Sequence, residues 1–284
     1  MKYEKISLYD QDDDTFYLET KKLKKEIHKI YRNHTKIFDV VYTEYANGFR
    51  YTKCNAESDQ SYVFFGCSYV FGYGLDDNET FPYYFSKMTD FDYNIVNCGC
   101  SGRSSNTALN ILESGVLNKF IKQNSNVKLF VYEMMSKSAK RNFQYTGNVD
   151  WIYKNGTFKY PDQPYNFLLK NFSYSYVFNK FFLNIIAEHN KDFYEKYFIK
   201  SLEKMNELIR TKYGSQMLII VWDVDSSLKT KLLNTKINII FLPDKFIYGS
   251  DYKISEQYDG HPAAKANAAL AKIIFDYAKN KKLL

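Results

Sequence analysis

Nothing in this chain approaches the run of about 20 apolar residues that a bilayer-spanning helix needs, so no membrane span is expected. No apolar stretch of signal-peptide length follows the opening Met1-Lys2-Tyr3-Glu4-Lys5 before Asp-rich sequence begins. The expectation is a soluble chain, cytoplasmic when synthesised and made in a reducing compartment. The sequon Asn78-Glu79-Thr80 then reads as chance. Cysteines are few: Cys54, Cys67, Cys98 and Cys100. None forms a CxxC pair and no histidine cluster accompanies them, so they read as small buried residues rather than a zinc site. Zinc-finger spacing and an RNP-like aromatic strand are also missing. The net charge of +7 comes from lysines scattered along the chain. That dispersion reads as a solvated surface, and nucleic acid is not expected as a partner. No internal repeat or low-complexity linker divides the sequence.

What is present fits one substantial core. The 284 residues are 45% hydrophobic, with 27 Tyr and 23 Phe. Residues 1–60 are polar and read as an N-terminal extension packing on the core, with a helix near 18–31 (LETKKLKKEIHKIY). From Ser61 onward the pattern changes. Tyr62–Phe65, Tyr93–Val96, Val127–Tyr132, Gln216–Trp222 and Ile237–Leu242 are short runs apolar at both parities, as in parallel strands covered on both faces. Helical spacing predicts helices over 79–88, from Ser104 or Ser105 to about 123, over 192–212 and over 262–279. This alternation predicts an α/β fold: a three-layer α/β/α sandwich around a central, mainly parallel five-stranded sheet. The domain is expected to span 61–284, with an aromatic-rich insertion at about 136–190. Within the insertion, Asn155-Gly156 predicts a hairpin over 151–160. Its many aromatic rings suit either a satellite core or stacking on sugar faces.

In a parallel α/β sheet ligands gather at the carboxyl ends of the strands. The first such turn reads Gly66-Cys67-Ser68, and a serine there exposes its hydroxyl and its own N–H. Taken alone it is equally a helix cap. The second turn, Asn97-Cys98-Gly99-Cys100-Ser101-Gly102-Arg103, carries small residues that let backbone N–H groups approach a ligand; a tight turn explains it as well. Near the C-terminus stands Tyr258-Asp259-Gly260-His261-Pro262. Asp259 can accept the imidazole Nδ1–H of His261 and so fix the tautomer whose Nε2 takes a proton from a serine. Pro262 is expected at the first position of the last helix.

The order of these blocks resembles the SGNH (GDSL-like) hydrolase superfamily, most strongly across 61–112 and 255–279. Gly66-Cys67-Ser68 with Phe71-Gly72-Tyr73-Gly74-Leu75 is similar to the first block, usually Gly-Asp-Ser. Asn97–Gly102 is similar to the second, and Asp259-Gly260-His261-Pro262 to the last. Gly48-Phe49-Arg50 resembles an element that precedes the first block in many members. The resemblance implies a serine esterase with Ser68, Asp259 and His261 catalytic, an oxyanion hole from the N–H groups of Ser68 and Gly102, and no metal or organic cofactor. The substrate it implies is a small-molecule or polysaccharide acyl ester, with O-acetylated carbohydrate foremost. Two departures stand out. Cys67 replaces the usual aspartate, and the third block's Asn is missing where Tyr132-Glu133-Met134-Met135-Ser136 stands. Ser136, Arg141 or Asn142 can substitute as oxyanion or substrate support. A divergent branch met in phage and environmental sequences has a similar Gly-Cys-Ser block without the Asn. Cys67 as nucleophile is the lesser alternative, since its side chain is expected to point away from His261. A catalytically weak glycan-binding module is the alternative function. Oligomeric state is left open.

Overall fold

The structure is a computed structural model that describes residues 2–7, 23–32, 34–45, 47–142, 152–154, 157–159 and 189–284. The predicted strands all form: β4 (Gln60–Gly66), β5 (Asn94–Gly99), β6 (Asn126–Met134), β9 (Met217–Val221) and β10 (Asn238–Phe241). They make one five-stranded sheet in the order β10-β9-β6-β4-β5, parallel at every pairing. β4 lies between β5 and β6, so successive connections leave it in opposite directions. Its carboxyl end is therefore the switch point of the sheet, where such folds open a crevice.

The two-parity apolar pattern has the consequence expected of it. Val63 and Phe65 of β4 face a core with Leu112 of helix α3 (Ser105–Ser114) and with Phe198, Leu202, Met205 and Ile209 of α5 (Lys191–Tyr213). Tyr62 and Phe64 face a second core with Phe81 and Phe85 of α2 (Phe81–Met88) and with Leu270, Ala271 and Ile274 of α8 (Ala264–Asn280). Helices on both faces complete three layers. Short helices α1 (Ser68–Phe71), α4 (Ser138–Arg141), α6 (Ser226–Leu233) and α7 (Lys245–Tyr248) fill the connections. Among the described residues no helix is long and apolar enough to cross a membrane.

Three boundaries differ from the sequence expectation. The segment predicted as a helix over 18–31 is a strand where it is described: β2 (Leu23–Arg32) pairs antiparallel with β1 (Lys2–Ser7) and β3 (Thr35–Tyr45). Glu26, His28 and Ile30 are buried at alternate positions, a period of two that the lysine-rich composition conceals. The helix expected to run to 123 stops at Gly115, which adopts a left-handed φ of 73°, and resumes as a short 3-10 turn over Val116–Lys119. Pro262 does not open the last helix. It ends a short strand, β12 (Asp259–Pro262), paired with β11 (Lys253–Ser255), and the helix starts at Ala264.

The hairpin expected at 151–160 appears as β7 (Ile152–Lys154) and β8 (Thr157–Lys159), antiparallel with Lys154 opposite Thr157. Its Asn155-Gly156 turn, and the rest of the aromatic segment at 143–182, lie outside the described residues. The N-terminal strands reach the main sheet through Arg50, which bridges both Glu44 of β3 and Asn97 of β5. Ile30, Phe38, Val40 and Tyr42 of this hairpin pack with Phe71 of α1.

Candidate active site

The chain leaves β4 at Gly66, passes through Cys67 as helix cap, and begins α1 at Ser68. As the first residue of α1, Ser68 has an N–H that no intrahelical acceptor reaches. The second turn is drawn against this helix. Gly99 needs to be glycine, because a Cβ there would sit 2.2 Å from the backbone nitrogen of Phe71. Asn97 Nδ2 donates to Val70 O at 3.0 Å, its Oδ1 accepts from Gly99 N at 3.0 Å, and Cys100 N donates to Gly66 O at 3.1 Å. Arg103 N closes the following turn onto Cys100 O at 3.1 Å, with Gly102 inside it.

The third turn brings His261. Its Nε2 lies 2.9 Å from Ser68 Oγ, and its Nδ1 lies 2.5 Å from Asp259 Oδ1, which also accepts the His261 backbone N–H at 2.9 Å. One carboxylate oxygen therefore fixes both the ring and the backbone of the histidine. Asn267 of α8 anchors this strand, donating to the carbonyls of Pro262 at 3.1 Å and Ala263 at 3.0 Å, while it accepts Phe81 N at 3.0 Å. Tyr73 and Tyr69 flank the imidazole, with ring centroids 4.7 and 5.4 Å away. Burial pulls the Asp259 carboxyl upward, but the His261 hydrogen bonds, the His261 charge and Arg32 outweigh it. The group is held below its ordinary value and so stays ionised at neutral pH.

The Cys67 thiol sits beside this chain of groups, accepting from Ser68 Oγ at 3.9 Å. It is buried and lies 3.3 Å from Glu133 Oε2. Burial first, and the Glu133 charge second, push it up to about 12, so it carries almost no thiolate at neutral pH. Of the three residues named as possible supports, Ser136 is held by Asp223, with Oγ 2.9 Å from Asp223 Oδ2. Asn142 is fully buried and serves the start of α3: its Oδ1 accepts Asn106 N at 3.3 Å, and its Nδ2 donates to Ser105 Oγ at 3.0 Å. Arg141 differs. Its buried Nη1 has no hydrogen-bond partner among the described residues, and its charge acts on Cys67, Tyr69 and Glu133.

Two residues of this region, each within a block the sequence resembles, take roles that the sequence alone does not give them. Glu133, 1% exposed at the end of β6, accepts the backbone N–H of Cys67 at 3.1 Å. Arg50, fully buried, donates to the carbonyls of Phe71 and Gly72 at the far end of α1. The one cluster among the described residues able to hold a metal, Glu26 with His28 and Glu44, lies on the N-terminal hairpin and not in this chain of groups. There Glu26 is already engaged by Lys24 Nζ at 2.5 Å and by His28 Nε2 at 3.2 Å.

No family model matches the sequence, and no curated protein matches it either. Solved structures do. The chain is similar to a lipolytic protein of the G-D-S-L family from Desulfitobacterium hafniense DCB-2, with 10% identity, a TM-score of 0.44, and coverage of 79% of this chain and 99% of that one. It is similar to the psychrotrophic esterase EstA from Pseudoalteromonas sp., with 15% identity, a TM-score of 0.46, and coverage of 78% and 97%. It is also similar to Est24, a carbohydrate acetylesterase from Sinorhizobium meliloti, with 12% identity, a TM-score of 0.44, and coverage of 78% and 99%.

Proposed function

We propose that the chain is a serine esterase in which Ser68 is the nucleophile, His261 the general base and acid, and Asp259 the group that orients and stabilises the imidazolium. The observation that carries this reading is the run of contacts from Ser68 Oγ to His261 Nε2 at 2.9 Å and from His261 Nδ1 to Asp259 Oδ1 at 2.5 Å. With Nδ1–H donated to Asp259, Nε2 is the basic nitrogen. It takes the Ser68 proton as Oγ attacks the ester carbonyl. The resulting oxyanion is held by the N–H groups of Ser68 and Gly102. Imidazolium then protonates the leaving alcohol, and water repeats the cycle to free the acid and restore Ser68.

Of the residues considered for the missing third donor, the Nη1 of Arg141, without a partner among the described residues, supports that residue over Ser136 and Asn142, whose polar groups are engaged. The high position of the Cys67 thiol argues against Cys67 as nucleophile. Small O-acyl esters, with O-acetylated carbohydrate first among them, are the proposed substrates.

The test is a screen of acyl esters of rising chain length together with acetylated glycans, wild type against Ser68→Ala, paired with labelling by a fluorophosphonate. Turnover and labelling by wild type, both abolished in Ser68→Ala, are expected. Full activity in Ser68→Ala removes that residue from the mechanism. Glycan binding that survives Ser68→Ala and His261→Ala, without turnover by wild type, would replace the esterase with a binding module.

A further inference from the structure

We infer that Glu133 is a positioning residue for Ser68: its carboxyl group, seated in the space beside Gly66, holds the Cys67 backbone N–H and thereby aims the hydroxyl and N–H of the serine that follows. This inference rests on the reading of Ser68 as the nucleophile.

A glutamate in the middle of an apolar parallel sheet is costly to keep. Glu133 lies between Met217-to-Val221 on one side and β4 on the other, opposite Ile220, and is 1% exposed. Its Oε2 accepts both the backbone N–H of Cys67, at 3.1 Å, and the Cys67 thiol, at 3.3 Å. Its Oε1 has no partner among the described residues. A residue present only to fill the core would be an aliphatic one like its neighbours. What the carboxyl does, uniquely in this position, is bond the last backbone donor before Ser68.

The room for it is made by the glycine of the first block. A Cβ on Gly66 would stand 2.6 Å from Glu133 Oε2 and 2.4 Å from Val70 Cγ2. Gly66 and Glu133 are thus one fitted pair: the strand end gives up its side chain so that the carboxyl can reach across from β6. Cys67 is then pinned in its extended cap conformation, φ −95° and ψ −150°, from which α1 begins with Ser68 Oγ on His261.

The groups facing this carboxyl come from four elements: Cys67 from the turn, Tyr69 from α1, Arg141 from α4, and Asp223 from the segment after β9. Burial raises Glu133 most and Asp223 adds to it. The Cys67 bonds and the Arg141 charge pull it back, leaving it pushed up to about 7. The ionised form is the stronger acceptor for the Cys67 N–H. Ser68 reactivity should therefore fall as Glu133 takes up a proton, adding to the acid limb of wild type a component that belongs to this carboxyl.

The experiment follows the rate of Ser68 labelling by a fluorophosphonate in full-length wild type, Glu133→Gln and Glu133→Ala, from below to above the Glu133 transition. Above the transition, Glu133→Ala should label roughly 10- to 100-fold more slowly, the factor that loss of one hydrogen bond to a charged group corresponds to. Glu133→Gln keeps a carbonyl acceptor but cannot titrate, so its loss should be smaller and its acid limb should lack the component at the Glu133 transition. The limb shape is a readout that a merely structural role would not move, and it stands even where Glu133→Ala fails to fold. Both variants labelling at the wild-type rate with the wild-type profile overturns the positioning role alone. Wild type that resists labelling at every pH overturns the nucleophile reading itself, and the role of Glu133 with it.

Discussion

Arg50 is fully buried, and its guanidinium is committed on every side. Nε donates to Asp77 Oδ1 at 2.9 Å, and Nη2 lies 2.8 Å from the same oxygen. Nη2 also donates to the carbonyls of Leu75 at 2.9 Å and Val41 at 3.2 Å, and Nη1 reaches those of Phe71 at 3.4 Å and Gly72 at 3.5 Å. The ring of Tyr42 stacks 4.2 Å from its central carbon. Arg50→Met keeps much of the volume and removes every donor. Asp77 is 26% exposed and can recover water, but the carbonyls of Phe71, Gly72 and Leu75 belong to the end of α1 and the loop after it and would stay dry. Breaking a buried pair of this kind costs about 3–5 kcal/mol. For a chain of 284 residues, that corresponds to a fall in melting temperature of about 5–8 °C. Arg50→Lys preserves the charge facing Asp77 but offers a compact ammonium in place of the fork, and it should recover only part of the loss. Urea denaturation and calorimetry of the three proteins give the comparison. Because α1 ends on these carbonyls, fluorophosphonate labelling of Ser68 should slow in the same order. Stability of Arg50→Met within about 0.5 kcal/mol of wild type, the range of an ordinary surface change, would refute the reasoning and show that the hairpin and α1 hold each other through apolar packing alone.

Asp259→Asn should leave the fold intact yet lower turnover by a factor on the order of 10³–10⁴, because an amide can hold the imidazole in the wrong tautomer; steady-state kinetics of the folded variant check this. Glu133→Gln should have opposite effects on stability and reactivity. A carboxyl raised in the folded state from 4.5 to about 7 costs stability progressively as pH climbs through that window, by up to about 3 kcal/mol in full. The glutamine variant is spared that cost, so its stability relative to wild type should rise between those pH values and level off above them; urea titrations across the window decide. Gly99→Ala should cost about 1–3 kcal/mol through overpacking, since its Cβ would meet the backbone nitrogen of Phe71 at 2.2 Å. A crystal structure of a stable Gly99→Ala with α1 unshifted would contradict that.

The main sheet is legible because its physics is written in consecutive residues. A parallel strand buried on both faces must be apolar at both parities, and Tyr62–Phe65, Leu129–Tyr132 and Met217–Val221 are. The site turns are legible for a related reason: a strand end at the switch point needs small residues, and Gly66-Cys67-Ser68 and Asn97–Gly102 are conspicuous for them. The N-terminal hairpin is not legible, because Lys24, Lys25, Glu26 and Lys29 are good helix formers and tertiary pairing with β3 overrides that preference. Glu133 left only a faint signal, one acid inside an otherwise apolar strand, and its meaning depends on Gly66, which is distant in sequence and adjacent in space. Arg50 was visible as part of Gly48-Phe49-Arg50, but a lone arginine in a polar segment gives no hint that it is fully buried.

The departure at Cys67 has a direct neighbour in the segment where the second departure falls. Where the resemblance implies aspartate beside the nucleophile, this chain has Cys67; where it implies asparagine after the third strand, the neighbouring strand end carries Glu133. Cys67 Sγ lies 3.3 Å from Glu133 Oε2, so an aspartate at 67 would bring a second carboxylate against one that is already buried. Two like charges in such a site cannot both stay ionised, and the cost falls on the turn that presents Ser68. A cysteine avoids it, offering a neutral side chain that donates weakly to the same oxygen. Cys67→Asp alone should therefore destabilise the protein and slow Ser68 labelling, and adding Glu133→Gln should relieve much of the damage. A coupling of about 1–3 kcal/mol between the two positions is the size expected of direct neighbours. Strictly additive effects in the double-mutant cycle would mean that the side chains at 67 and 133 do not act on each other.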